Sequence, residues 1–337
     1  MSEVDLEPGA LAWVARINET SARLPGLFSS DLTAMRAAST QLANALAREF
    51  TAPAPEDVVI DEVEIDAGGR MLRLRRYAPE GISSPRPTQV FLHGGGFIKG
   101  SPRELQNDRI LAARARGAGI QVLSLQYALA PEHPYPVARD QLIDLLAALT
   151  ATPELADVDA ARLGVGGNSA GAGVVATAVL KWCADDGAPL AHQLLEVPPA
   201  TVRDFGESFE LYGRGFGLDD IDQLTALILP EGAADEYASA LDYARRREAP
   251  ISGYPRTLVM TAEYDPLRDT AEEFARELQR LGAPVELIRG ARQLHGGSAL
   301  TAATDGARLW QRRAIDELSA AYATAATAAQ PTSAGSA

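Results

Sequence analysis

The sequence predicts an α/β fold: a mostly parallel sheet with helices on both faces. Three observations carry this expectation. From residue 88 onward, short strand-like runs alternate with helical stretches, and that alternation calls for parallel strands joined by crossover helices. The strand-like runs are short and largely apolar, as strands covered on both faces tend to be. The composition, 46% hydrophobic and 23% charged over 337 residues, suits a chain that buries a sizeable core and excludes wholesale disorder.

The first 50 residues read as helix. Leu11, Val14, Ile17 and Leu24 stand near helical spacing, and Leu32 to Phe50 holds a second such stretch. Thr51 to Glu56 (TAPAPE) breaks the pattern and marks a boundary, so residues 1–55 form an N-terminal helical segment. Val58–Ile60 with Val63–Ile65, then Met71 to Tyr77, flank an Asp-Ala-Gly-Gly turn and predict an antiparallel hairpin at one sheet edge. Gln89–Leu92 and Ile120–Leu125 are buried strands, followed by a helix over 137–149. Strand 162–165, helix 170–184, a strand at Leu194-Leu195, strand 257–260, helix 268–281, strand 285–288 and a helix over 299–322 complete the alternation.

Residues 199–249 depart from it. Arg203 to Asp222 is rich in Gly, Phe, Tyr and acids, and a helix follows at Leu224–Leu229. We read this stretch as an insertion lying, with the N-terminal segment, over the working edge of the sheet. The core then divides into 56–198 and 250–322, with a low-complexity tail over 323–337 expected to be mobile.

Composition also bounds the function. The formal charge is −14, so phosphate backbones and anionic lipid surfaces are repelled; neither nucleic acid nor membrane is an expected partner. One cysteine, Cys183, cannot close an intramolecular disulfide, and with four histidines it cannot build a Cys-rich zinc site; no metal is expected. The N-terminus lacks a signal pattern, and no apolar run reaches the roughly 20 residues that span a bilayer. A soluble cytoplasmic protein is the expectation.

Gly167-Asn168-Ser169-Ala170-Gly171 fits G-x-S-x-G, with a strand before it and an apolar helix after it. A serine on such a turn projects its Oγ from the sheet, and the helix N-terminus behind it favours developing negative charge. The pentapeptide alone recurs by chance; the strand–turn–helix context gives it weight. His93-Gly94-Gly95-Gly96-Phe97 follows strand QVFL. Three glycines in a row cost chain entropy, and they make sense where backbone N–H groups must face a ligand. In acyl transfer those groups, with the N–H of Ala170, would form an oxyanion hole. A phosphate loop is the weaker alternative, because no Lys-Ser/Thr follows.

A nucleophilic serine needs a histidine base. His93 opens the glycine loop and is expected to hold its shape. His133 lies upstream of the serine in PEHP, and His192 just before a strand. His295 alone follows the last predicted strand, where a base at the sheet's C-terminal edge belongs. The orienting carboxylate is expected at the end of strand 257–262, with Asp265 first, Glu263 second, and Asp269 as a cap or salt-bridge partner. The order Ser169, Asp265, His295 is that of the α/β-hydrolase triad.

HGGGF, GNSAG, YALAPEHPYPV, DPLRD and a late LHG together resemble the hormone-sensitive-lipase-like branch of the α/β-hydrolase esterases, over about residues 60–300. The resemblance implies an α/β-hydrolase fold with an eight-stranded sheet, a helical cap made from the two anomalous segments, and carboxylester hydrolysis without a cofactor. It implies Ser169 as nucleophile, His295 as base, Asp265 as orienting acid, and Gly95, Gly96 and Ala170 as oxyanion donors, with His93, Gly94 and Asn168 in support. It also implies a small-molecule ester substrate and a homodimer. Four positions depart from the family pattern: Asn168 replaces the usual Asp, Ala128 an Arg, Gly297 an aromatic residue, and Glu196-Val-Pro-Pro199 a Tyr-Pro element. These are either drift or a reshaped pocket. Amide deacylation of a small metabolite uses the same triad and stays open; a lyase or cyclase, or a non-catalytic receptor, are the more distant readings.

Overall fold

Two strands of alternating polarity open the sheet. β1 (Val58–Ala67) and β2 (Arg70–Pro79) pair antiparallel across Gly68 and Gly69, with Ile65, Leu72 and Leu74 buried on the inner face. The computed structural model describes residues 4–201, 206–214, 221–229, 236 and 238–328. The remaining strands are β3 (Arg86–Leu92), β4 (Gln121–Leu125), β5 (Val158–Asn168), β6 (Gln193–Glu196), β7 (Thr257–Tyr264) and β8 (Val285–Leu294). They form one eight-stranded sheet in the order β1-β2-β4-β3-β5-β6-β7-β8. β2 lies antiparallel to both neighbours, and every pair from β4 to β8 is parallel. This is an α/β-hydrolase sheet.

Two helices begin the chain: α1 (Pro8–Ser21) and α2 (Leu32–Phe50), the latter capped by Asp31, whose carboxylate accepts the Thr33 N–H. One face of the sheet carries α3 (Leu105–Ala118) and, late in the chain, α10 (Asp305–Ala328). The opposite face carries α4 (Val137–Ala151), α5 (Ala170–Ala184) and α9 (Arg268–Arg280). Between β6 and β7 stand α6 (Glu207–Tyr212), α7 (Ile221–Ile228) and α8 (Ala240–Arg246). α5 is buried almost all round, which explains its composition: AGAGVVATAVL has no polar stripe to give to water. The largest apolar cluster lies between the sheet and α4, α5 and α9; a smaller one under α3 and α10 joins Tyr77, Phe91, Leu111 and Leu318. Among the described residues, no helix is long and apolar enough to cross a membrane.

The structure corrects the sequence reading in three places. The sequence pattern does not predict α3, because its buried face, Leu111, Arg114 and Ala115, includes a charge. The last helix starts at Asp305, not at 299; Gly297–Ala299 is a single 3-10 turn, and the Glu7 carboxylate accepts the Asp305 and Gly306 N–H groups that open α10. That helix also continues through Ala328, so the expected tail begins later; residues 329–337 lie outside the described residues, as do 202–205, 215–220, 230–235 and 237 of the expected insertion.

One buried acid gives a stability test. Glu104, 6% exposed, has its carboxyl pushed up to about 7 by burial, against the opposing Gln106 hydrogen bond and Lys99 charge. Its folded value stands above the ordinary 4.5, so the stability it contributes is complete below that value and lost as pH rises through about 7. Glu104→Gln is therefore expected to raise Tm in alkaline buffer and to leave it nearly unchanged in acid. An equal shift at both pH values would contradict the buried-acid account.

Candidate active site

Ser169 sits between β5 and α5 with φ 51° and ψ −124°, a conformation an L-residue adopts only under constraint. Its N–H donates to the Glu196 carbonyl at the end of β6, 2.8 Å away. Gly171 cannot be larger, since a Cβ there would run into the Leu92 and His93 carbonyls. The turn thus presses α5 against β3 and leaves Ser169 Oγ facing out of the sheet.

The Ser169 Oγ lies 2.8 Å from His295 Nε2. His295 Nδ1 lies 2.9 Å from Asp265 Oδ2, and Asp265 Oδ1 accepts the Leu267 N–H at 2.8 Å. Asp265 is 1% exposed, and the His295 side chain 21%. An ionised carboxylate only accepts, so Nδ1 carries the imidazole proton and Nε2 is left to accept from Oγ. Burial resists charging the ring, but the charge and hydrogen bond of Asp265 outweigh it and raise the His295 pKa above 6.5. The other two acids point elsewhere: Glu263 accepts the Arg292 N–H, and Asp269 accepts the Ser208 N–H and pairs with Arg268.

The glycine loop runs beside this row. Gly95 and Gly96 take φ of 136° and 61°, and a Cβ on Gly95 would collide with the Lys99 carbonyl. Gly94 stands close over the turn: a Cβ there would be 3.2 Å from Asn168 Oδ1 and 3.3 Å from Ser169 Cβ. His93 is buried, its ring stacked on Tyr127 at 4.5 Å; Tyr127 Oη donates to the His93 carbonyl. Burial pushes the His93 pKa down to about 4, so the neutral ring can donate from Nδ1 to the Gly94 carbonyl, 2.8 Å away. Ala170 opens α5, where the N–H has no carbonyl of its own helix to bond. His133 is exposed and His192 is buried below the sheet beside Glu317. Among the described residues, no cluster of His, Cys, Asp and Glu is placed to hold a metal ion.

The family pattern of the α/β hydrolase fold matches residues 89–299, which contain the glycine loop, the serine turn and both partners. The carboxylesterase NlhH of Mycobacterium tuberculosis is 33% identical over 277 residues, covering 79% of this chain and 84% of that protein. The chain belongs to the hormone-sensitive-lipase-like family of α/β-hydrolase esterases. The ethyl acetate hydrolase of Pseudomonas putida is 30% identical over 65% of this chain and 69% of its own. The solved ester hydrolase EH1AB1 from the Lake Arreo metagenome, complexed with a bipyridine phosphonate derivative, superposes with a TM-score of 0.80 at 26% identity, covering 96% of this chain and 99% of that one.

Within this esterase family, the departures have visible neighbours. A Cβ at Gly297 would stand 3.1 Å from Gln293 Oε1, so the Gln293 side chain occupies the room a larger residue would take. The Ala128 N–H is held by Gln141 Oε1. Glu196 is buried in an ion pair with Arg114. The sequence pattern points to neither Arg114 nor Arg36. Arg114 stands three residues after Leu111 and four before Ala118, where its charge breaks the apolar pattern instead of marking a site; Arg36 reads as an ordinary surface cation.

Proposed function

We propose that the protein hydrolyses carboxylic esters of short to medium acyl chains through a Ser169–His295–Asp265 triad and an acyl-enzyme. The observation that carries this is the unbroken row from Ser169 Oγ to His295 Nε2 and from Nδ1 to Asp265, at 2.8 and 2.9 Å, on a turn that fixes the serine. Ser169 Oγ attacks the ester carbonyl carbon as Nε2 takes its proton. The carbonyl oxygen becomes an oxyanion, met by the N–H groups of Gly95, Gly96 and Ala170. His295 then protonates the departing alcohol oxygen, leaving the acyl group on Ser169. Water attacks that ester with His295 again as base, and the acid leaves.

A cavity beside α5 is read as the acyl-chain site. A cavity of about 50 Å³ runs along α5 from Gly173, one turn beyond the serine, past Val174 to Thr177, walled by Phe97, Pro199 and Ala240. At ~10–15 Å³ for each water-sized occupant, it suits a chain of a few carbons. α1, α2 and α6–α8 are read as the cover over this edge; Trp13 of α1 reaches within 3.7 Å of where a Gly296 Cβ would stand.

Turnover of p-nitrophenyl acetate, butyrate and octanoate by wild type and Ser169→Ala tests the reading. The variant is expected to lose activity and labelling by a fluorophosphonate. Labelling and turnover that survive in Ser169→Ala would overturn it. Gly173→Ala tests the cavity, because its Cβ would stand 2.9 Å from Pro199 Cγ and 3.3 Å from Phe97 Cζ. Butyrate is expected to lose about tenfold relative to acetate; equal losses would place the chain elsewhere.

A further inference from the structure

Three consecutive glycines give a loop the freedom to lose its shape, yet an oxyanion hole works only if its N–H groups are already aimed. Something outside the loop must hold it. Part of the answer is backbone: the Lys99 N–H donates to Gly95, and the Ala130 N–H to Phe97. The rest comes from the N-terminal segment. Arg36, on α2, reaches into the rim of the site. Its Nε donates to the Ile98 carbonyl at 2.8 Å, and its Nη2 to the Ala130 carbonyl at 2.9 Å. The same fork closes on Glu132, with Nη1 to Oε1 and Nη2 to Oε2 both at 2.7 Å. One planar guanidinium therefore pins the glycine loop to the Ala130–Glu132 loop, which only a rigid, multi-donor cation can do. The Arg36 hydrogen bonds hold the Glu132 carboxyl down to about 2, so the pairing persists through neutral pH.

We propose that Arg36 is a positioning residue for ester hydrolysis: it fixes the Ile98 end of the glycine loop and so sets the direction of the Gly95 and Gly96 N–H groups. This rests on reading those groups as oxyanion donors. Arg36 does not dock α2 by itself. Asn44 Oδ1 accepts the Leu105 N–H at 2.8 Å, and Arg109 donates to the Ala47 and Thr51 carbonyls, both at 2.6 Å. Removing Arg36 should leave the helix in place and loosen the loop.

The experiment measures kcat and KM for p-nitrophenyl acetate, inhibition by a trifluoromethyl ketone that forms a tetrahedral adduct, and Tm, in wild type, Arg36→Ala, Arg36→Lys and Glu132→Gln. Arg36→Ala is expected to lower kcat by about 10- to 100-fold with little change in KM. Inhibition by the ketone is expected to weaken by a similar factor. Arg36→Lys should recover part of the loss, because an ammonium can reach some of the acceptors but lacks the fork. Glu132→Gln should lose less, since both carbonyl contacts survive. Unchanged kcat and ketone inhibition in Arg36→Ala would overturn the proposal whatever Tm does. So would a loss confined to KM, or a Glu132→Gln loss as large as that of Arg36→Ala. If Arg36→Ala does not fold, Arg36→Lys decides: wild-type kcat and ketone inhibition overturn the proposal. Ser169→Ala, run alongside, separates the two layers. Activity surviving there would sink the serine mechanism itself, whereas an inert Ser169→Ala with a fully active Arg36→Ala sinks only the positioning role.

Discussion

Asp265→Asn is expected to lower kcat for ester hydrolysis by about 10⁴ while leaving the protein folded. The two side chains have nearly the same shape, and an Asn Oδ1 can still accept the Leu267 N–H that Asp265 now accepts at 2.8 Å. That bond turns the Asn Nδ2 toward His295 Nδ1. Two N–H groups cannot face each other, so the imidazole gives up its Nδ1 proton and carries it on Nε2. An N–H then points at Ser169 Oγ where a lone pair is needed, and the serine has no base. The pH profile should change too. In wild type the carboxylate more than offsets burial, so the acidic limb of kcat/KM should lie above 6.5. With Asn, burial acts without the opposing charge and the limb should move below that value. The stability linkage has the matching sign. A histidine whose folded pKa exceeds 6.5 stabilises the protein fully below 6.5 and loses that contribution as pH rises through the folded value. Asp265→Asn should remove this dependence. Rates across the neutral range, with NMR titration of the ring, check both limbs. A loss of only a few-fold would mean that Asp265 does not orient the base.

Which parts of this were legible in the sequence depends on how local their causes are. The serine turn was legible because strand, glycine, serine and helix stand within a few residues. The parallel strands are legible because a strand covered on both faces is largely apolar, as Leu194-Leu195 and Leu258–Met260 are. Three acids near the end of β7 could not be separated by spacing alone. Side-chain direction separates them: Asp265 faces His295, Glu263 faces the Arg292 backbone, and Asp269 faces Ser208. α3 is hidden in the sequence because Arg114 interrupts its apolar face, and the partner of that charge, Glu196, is 82 residues away. Arg36 was illegible for the same reason in stronger form. On α2 it reads as one more exposed cation, and its acceptors lie 62 to 96 residues further on. Polar groups that serve distant loops leave no periodic trace, whereas apolar ones do.

Glu196→Ala and Arg114→Ala are each expected to cost about 3–5 kcal/mol of folding stability, because each leaves the other charge buried without its partner. Both side chains are 1% exposed, between β6 and the α3–α10 layer. Arg114 forks onto Glu196 at 2.6 and 2.7 Å and gives its Nε to Gln311 Oε1. Trp310 Nε1 donates to the same Glu196 oxygen as one arm of the fork. A strand, a helix on one side and the final helix therefore meet at one carboxylate. Replacing both charges with apolar residues, Arg114→Met with Glu196→Leu, removes the lone buried charge but orphans the Trp310 N–H and one Gln311 oxygen. Each orphan costs about 1–3 kcal/mol, so the double variant should be more stable than either alanine variant and still weaker than wild type. Urea unfolding of the Glu196→Ala, Arg114→Ala and double alanine variants reads the coupling directly. The two losses should fall well short of adding, since the second removal takes away a charge the first had already stranded. Strictly additive losses of under about 1 kcal/mol each would mean that water reaches the pair and the network does not hold the layers. The site would feel the network only through the backbone: Glu196 lends its carbonyl to the Ser169 N–H. Activity per folded molecule should therefore outlast stability, with Ser169 still labelled by a fluorophosphonate in variants whose unfolding midpoint has dropped.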